Sequence, residues 1–216
     1  MAYRHSARPE KEKPEERRPH SIGDFVAKHG RGSGLARLIG ESSIAGVDLH
    51  RNGLVVHDMD DGPTEVAFED IDAMHFEVDG LIPGPPRIIL FTFDKRRAVI
   101  PRDVLKLDVL IRVLDREVTQ PFIVNALEAL ARGQRLTFGP VVLVLDGIEL
   151  YGKSLPWNEL DFVAAEPDSL VFYANEPRGR FGWAPLAELP HPGVLLEALR
   201  QRTDIVPRGM RLFGLG

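Results

Sequence analysis

The sequence predicts an α+β fold of two similar units in tandem, each a curved antiparallel sheet or partial barrel closed by a C-terminal helix. Three observations carry this reading. Short runs rich in Val, Ile, Phe and Thr recur between Gly, Pro and Asp residues, as strands of antiparallel sheets do. An amphipathic helical pattern follows each set of strands. Finally, three anchors of the first half return in the same order in the second.

In the first unit, Val47 to His50, Leu54 to His57, Glu65 to Phe68, Ala73 to Val78, Ile88 to Phe93 and Ala98 to Ile100 read as strands. Asn52-Gly53 predicts a type I′ hairpin turn, in which both central residues need positive φ. A two-residue turn there sets His57 across from Asp48, within hydrogen-bonding reach. Asp103 is expected to cap the closing helix, whose apolar stripe is Val104, Leu107, Ile111, Leu114 and Val118. Pro121 to Arg132 predicts a linking helix, with Pro121 in its first turn and Gly133 at its end.

In the second unit the expected strands are Val141 to Leu145, Ile148 to Tyr151, Phe162 to Ala165, Ser169 to Tyr173 and Phe181 to Ala184, with a helix from Gly193 to Arg202. The resulting organisation is a disordered charged tail at 1–21, a first unit at 22–118, a linking helix at 119–133, a second unit at 134–203 and a C-terminal tail at 204–216. So short a link predicts that the two units pack together. Trp157, Trp183, Phe172 and Tyr173 are expected to fill the second core.

The anchors are specific residues. Asn52-Gly53 matches Asp146-Gly147, and Phe68-Glu69-Asp70-Ile71-Asp72 matches Trp157-Asn158-Glu159-Leu160-Asp161. Arg97 to Asp115 matches Gly182 to Arg200 without gaps, setting Val109, Leu110 and Leu114 on Val194, Leu195 and Leu199. Between the first and last anchors the offset falls from 94 to 85 residues, so the first half carries extra residues, assigned to the loops Asp58 to Pro63 and Asp79 to Pro86.

Composition bounds the chemistry. The 216 residues hold no cysteine, which removes disulfides, thiolate nucleophiles and cysteine-based metal sites together. Met1 to His20 carries a net +2, so the remainder carries −7 of the overall −5. That acidic body opposes nucleic acid over long range. The tail lacks an apolar signal region and no run is long enough to cross a bilayer, so the expected location is cytoplasmic.

The order of the hairpin at Asn52-Gly53, the segment Val66-Ala67-Phe68-Glu69-Asp70-Ile71, the hairpin of Ile88 to Ile100 and the helix resembles pleckstrin-homology-like (PH-like) and GRAM-like domains of bacteria. The second half, with Leu155-Pro156-Trp157-Asn158-Glu159-Leu160, looks like the same unit. From about Ile44 to Arg202 the chain resembles an uncharacterised bacterial family with tandem PH-like halves. The resemblance implies binding or scaffolding, no catalytic residues and no cofactor.

Candidate sites are few. Asp94-Lys95-Arg96-Arg97 and Pro177-Arg178-Gly179-Arg180 occupy one equivalent turn, so Lys95, Arg96, Arg97, Arg178 and Arg180 are the candidate contacts to an anion or lipid headgroup, set against the ordinary solvated charge of turns. Gly30-Arg31-Gly32-Ser33-Gly34 lacks the Lys-Ser/Thr ending of a phosphate loop. Asp58-Met59-Asp60-Asp61-Gly62 fails as a calcium loop, since its Gly falls at the fifth position and Pro at the sixth. The seven histidines form no HExxH pair, and no GxSxG elbow is present. Met210, Leu212, Phe213 and Leu215 are expected to dock on the body or to present a partner-binding peptide. The leading expectation is a non-enzymatic interaction or scaffold protein with an unidentified protein or peptide partner; the alternative is peripheral binding to anionic lipid.

Overall fold

The computed structural model describes residues 22–30, 44–58, 62–78, 86–175 and 178–209. The fold is α+β, dominated by antiparallel sheets. In the first half β1 (Phe25–Gly30), β2 (Ile44–His50), β3 (Gly53–Asp58) and β4 (Gly62–Ala67) form one meander. A 3-10 turn, Phe68–Asp70, leads into a second meander of β5 (Ile71–Glu77), β6 (Arg87–Thr92) and β7 (Arg97–Ile100). Helices α1 (Leu107–Leu114) and α2 (Gln120–Ala131) follow. The same order then recurs: β8 (Leu136–Phe138), β9 (Val141–Val144), β10 (Gly147–Leu150) and β11 (Lys153–Pro156), then β12 (Leu160–Ala165), β13 (Ser169–Ala174) and β14 (Gly179–Pro185), then α3 (Pro192–Arg200). A last strand, β15 (Asp204–Pro207), adds to β12 in parallel.

The anchors make the same backbone hydrogen bonds in both halves. The Phe68 N–H donates to the Asn52 carbonyl at 2.9 Å, and the Trp157 N–H to the Asp146 carbonyl at 3.0 Å. Phe93 donates to Asp70 as Asn175 donates to Glu159. Lys106 and His191 precede α1 and α3 with φ of 59° and 49°, and each carbonyl accepts the N–H groups three and four residues on.

The turns differ from the type I′ expectation. β2 pairs His50 with Gly53, so the loop is Arg51-Asn52, and β9 pairs Val144 with Gly147, so the loop is Leu145-Asp146. Neither loop has a residue at positive φ. Both glycines instead answer a close approach: a Cβ on Gly53 would collide with the Val66 carbonyl, and one on Gly147 with the Leu155 carbonyl. With the register so set, Asp48 faces Val55, and His57 Nε2 reaches Asp48 Oδ2 diagonally at 2.8 Å. Among the described residues, the hairpin that has both central residues at positive φ is Tyr151-Gly152, at 49° and 80°.

The helices also differ from expectation. Lys106, not Asp103, occupies the N-cap of α1. The closing and linking helices are continuous over residues 107–131, joined by one π turn, Asp115–Thr119. Such a turn inserts a residue and rotates the apolar face. Leu107, Leu110, Leu114 and Val118 therefore pack into the first core, while Ala126, Ala129 and Leu130 pack into the second. Gly133, at φ 77°, ends the helix as its sequence position predicts.

Two cores result, one around Leu54, Ile71, Phe76, Ile88 and Leu110, the other around Phe138, Leu143, Phe172, Leu195 and Leu199. Each such buried side chain stabilises the fold by roughly 1.5–3 kcal/mol. Phe122 packs against both, so the halves share an apolar junction. Of the four aromatics expected in the second core, Phe172 is fully buried, but Trp183 is 47% exposed and pairs with Val171 on the face turned away from that core. Strands β1, β8, β11 and β15 are not among those expected from sequence: β8, β11 and β15 are only three or four residues long, β1 mixes apolar with polar residues, and β15 occupies part of the segment expected to be a tail. Residues 1–21, 31–43 (the glycine-rich segment and beyond), 59–61 and 79–85 of the two loops assigned the extra residues, 176–177 and 210–216 lie outside the described residues.

Candidate functional site

Where the halves meet, an open cleft of about 720 Å³ is built from β5, the β6–β7 turn, the β8–β9 turn, the Tyr151-Gly152 hairpin and the 3-10 turn Leu186–Glu188. Its backbone is unusual. Lys95 at φ 72°, Tyr151 at 49° and Gly139 at 57° line it, and His191 at 49° follows the lining residue Pro190. A non-glycine residue in this region costs roughly 1–2 kcal/mol, and such strain concentrates at ligand clamps. At Gly139 a Cβ would also collide with the Glu188 carbonyl, so this turn can only be closed by glycine.

The side chains are held from both halves. His75 Nδ1 lies 2.9 Å from the Ala187 carbonyl. Because a carbonyl only accepts, Nδ1 carries the proton, and Nε2 of the neutral ring is an acceptor. The His75 ring stands edge-on to Phe91 with centroids 5.5 Å apart. The Tyr151 hydroxyl donates to Glu188 Oε2 at 2.9 Å. Desolvation, then the hydrogen bond to Glu188 and its charge, push the Tyr151 phenol above its ordinary value.

Burial lowers the His75 pKa from its ordinary 6.5, opposed by the Ala187 bond and the Glu77 charge. The folded pKa lies below the unfolded one, so between them the unfolded chain binds more protons. Stability is accordingly full above about pH 6.5 and falls as the pH drops toward the lowered folded value. His75→Asn, which keeps a donor near Ala187 but does not titrate, is expected to flatten this part of the urea-midpoint profile; an unchanged slope would assign it to other groups.

Behind the cleft, His191 is 1% exposed. Its Nε2–H donates to the Asp72 carbonyl at 2.8 Å, and its backbone N–H to the Met74 carbonyl at 2.9 Å. Its ring lies 4.4 Å from that of Phe122. These bonds cover the outer edge of β5. The corresponding edge in the second half, that of β12, is covered by β15, with Arg208 N–H donating to Ala165 and Thr203 Oγ1 to the Asp161 carbonyl.

The five basic candidates have separate surroundings. Arg96 is held by Asp94 Oδ2 and the Glu65 carbonyl, each at 2.7 Å. Thr92 donates to Asp94, and this bond, then Arg96, holds the Asp94 carboxyl below its usual range. Lys95 lines the cleft, and Arg97 is exposed opposite Phe91. In the second half Arg178 is exposed and Arg180 lies over the Trp183 ring, 5.9 Å from its centroid. Sequence reasoning missed the roles of His75, Tyr151, Glu188 and His191. The only local signal is Gly152, a residue suited to positive φ; the rest is brought together by packing.

Among the described residues no group of three or more His, Asp or Glu side chains could hold a metal, and no helix is long and apolar enough to cross a membrane. A family model described as a family of unknown function, DUF6585, matches residues 35–199. The chain belongs to this family. The DUF6585 match runs from ahead of β2 to the end of α3, so it takes in both halves and the cleft, and leaves β1 and β15 outside. A comparison with curated proteins found no match.

Proposed function

We propose that the chain is a non-enzymatic, cytoplasmic interaction protein of two tandem PH-like units, near the expected bounds 22–118 and 134–203 but with β15 added to the second. The recurring order of two meanders and a helix supports the PH-like reading. The observation that carries the interaction role is the outer edge of β14. The β5 and β12 edges are covered from within the chain, whereas among the described residues no strand pairs with the outer side of β14. At seven residues it is the longest strand left at a sheet edge without a covering segment. An uncovered edge accepts an extended segment of another protein through main-chain hydrogen bonds. Arg178, Arg180 and exposed Trp183 favour an acidic segment with an apolar anchor.

The lipid reading draws on the same residues, because an exposed Trp beside arginines suits an anionic membrane interface. One experiment separates the two. The full-length chain and its Arg180→Glu/Trp183→Ala variant are used for affinity capture with crosslinking, and for co-sedimentation with phosphatidylserine vesicles at low salt. The interaction reading expects a captured protein crosslinked to β14 and at least about a tenfold loss in the variant. Capture that the variant retains in full overturns it, and vesicle binding lost in the variant without protein capture transfers the role to lipid.

A further inference from the structure

We propose that the cleft between the halves binds a small zwitterion of the amino-acid class carrying an apolar side chain. The site does not rest on the β14 reading. Its volume of about 720 Å³ falls in the range of small-ligand sites, which concentrate where two packed units meet. Its charged lining residues come from both halves, with Asp72 on β5. Lys95 comes from the β6–β7 turn and makes no ion pair among the described residues; Glu188 comes from the second half, where its carboxylate holds the Tyr151 hydroxyl. Phe91, Pro140 and Pro190 supply apolar surface between them.

The groups present select the ligand. An ammonium has several donors, and the acceptors available to it are the Glu188 carboxylate and His75 Nε2, left free to accept because Nδ1 is committed to Ala187. A carboxylate is matched by Lys95. A simple amine brings no counter-charge to Lys95, and a simple acid meets Asp72 and Glu188, so a ligand carrying both charges engages lining groups of both signs where either alone does not. The apolar wall then selects the body of the ligand. Lys95 and Tyr151 sit at positive φ where glycine would be free of strain, and both line one cavity.

The test is titration calorimetry of the full-length chain with L-phenylalanine, phenethylamine (no carboxylate), 3-phenylpropionate (no ammonium) and glycine (no apolar body). A charged hydrogen bond in an open cleft is worth about a tenfold change in affinity, so L-phenylalanine is expected to bind about tenfold tighter than either single-charge analogue, with glycine weakest. Lys95→Gln, on an exposed turn, should remove the preference over phenethylamine and keep that over 3-phenylpropionate; Glu188→Gln should do the reverse. Unchanged urea midpoints show that both variants fold. Equal affinity for the three aromatic probes, preferences that survive both substitutions, or no heat with any probe would overturn the proposal.

Discussion

Gly147→Ala is expected to destabilise the protein by about 3 kcal/mol, the upper end of ordinary overpacking, read as a lowered urea midpoint. The added methyl would collide with the Leu155 carbonyl and crowd Pro156 Cα, both backbone atoms of the neighbouring strand β11. Neither can rotate away as a side chain would, so relief requires β10 and β11 to separate and weaken their pairing. Gly152→Ala is the control: it has open space around its Cβ position and differs only in its φ of 80°, which costs an alanine roughly 1–2 kcal/mol. Equal losses for the two variants would mean that close approach does not explain Gly147. Gly53→Ala should behave as Gly147→Ala does, because the Val66 carbonyl and Ala67 Cα stand in the same relation to it.

His191→Ala is expected to cost about 3 kcal/mol, combining a part-buried Asp72 carbonyl left without its donor and the loss of the buried ring packed on Phe122. Alanine and histidine suffer similarly at φ 49°, so the loss reports the side chain and not the backbone. The change should be local before it is global. Amide exchange should speed up along β5, whose edge His191 covers, and along α3, which it starts, while β2 and β3 remain protected up to the global unfolding limit. Uniform acceleration would instead make the two halves one cooperative unit. Loss of less than about 1 kcal/mol would show that the junction rests on Phe122 and its apolar neighbours alone.

The anchors show how far local sequence reaches. Phe68 and Trp157 could be aligned from sequence because each follows its glycine at a fixed structural distance, and each donates its backbone N–H to the residue just before that glycine. Leu110 and Leu195 could be aligned because a helix buries one face whatever it packs on. The physical meaning of the glycines was not legible. Asn-Gly and Asp-Gly are strong positive-φ signals, yet here the glycines serve close strand approach, a requirement imposed by the next strand in space. Similarly, Trp183 reads as core by hydrophobicity, but β14 is an edge strand and its alternate face is open. β15 has only Ile205 packed against the core, so periodicity had one residue to work with.

Composition and spacing within single elements are enough for the class of fold, most of the strands and the helices, and the absence of cysteine chemistry. Which edges are covered, which basic residues are engaged, and the meeting of Lys95, His75, Tyr151 and Glu188 around one cleft depend on packing between distant elements. Those residues span just over half the chain, and no local pattern relates them. They meet because His191 and Phe122 fix one half against the other, and that contact is made by the packing of two cores.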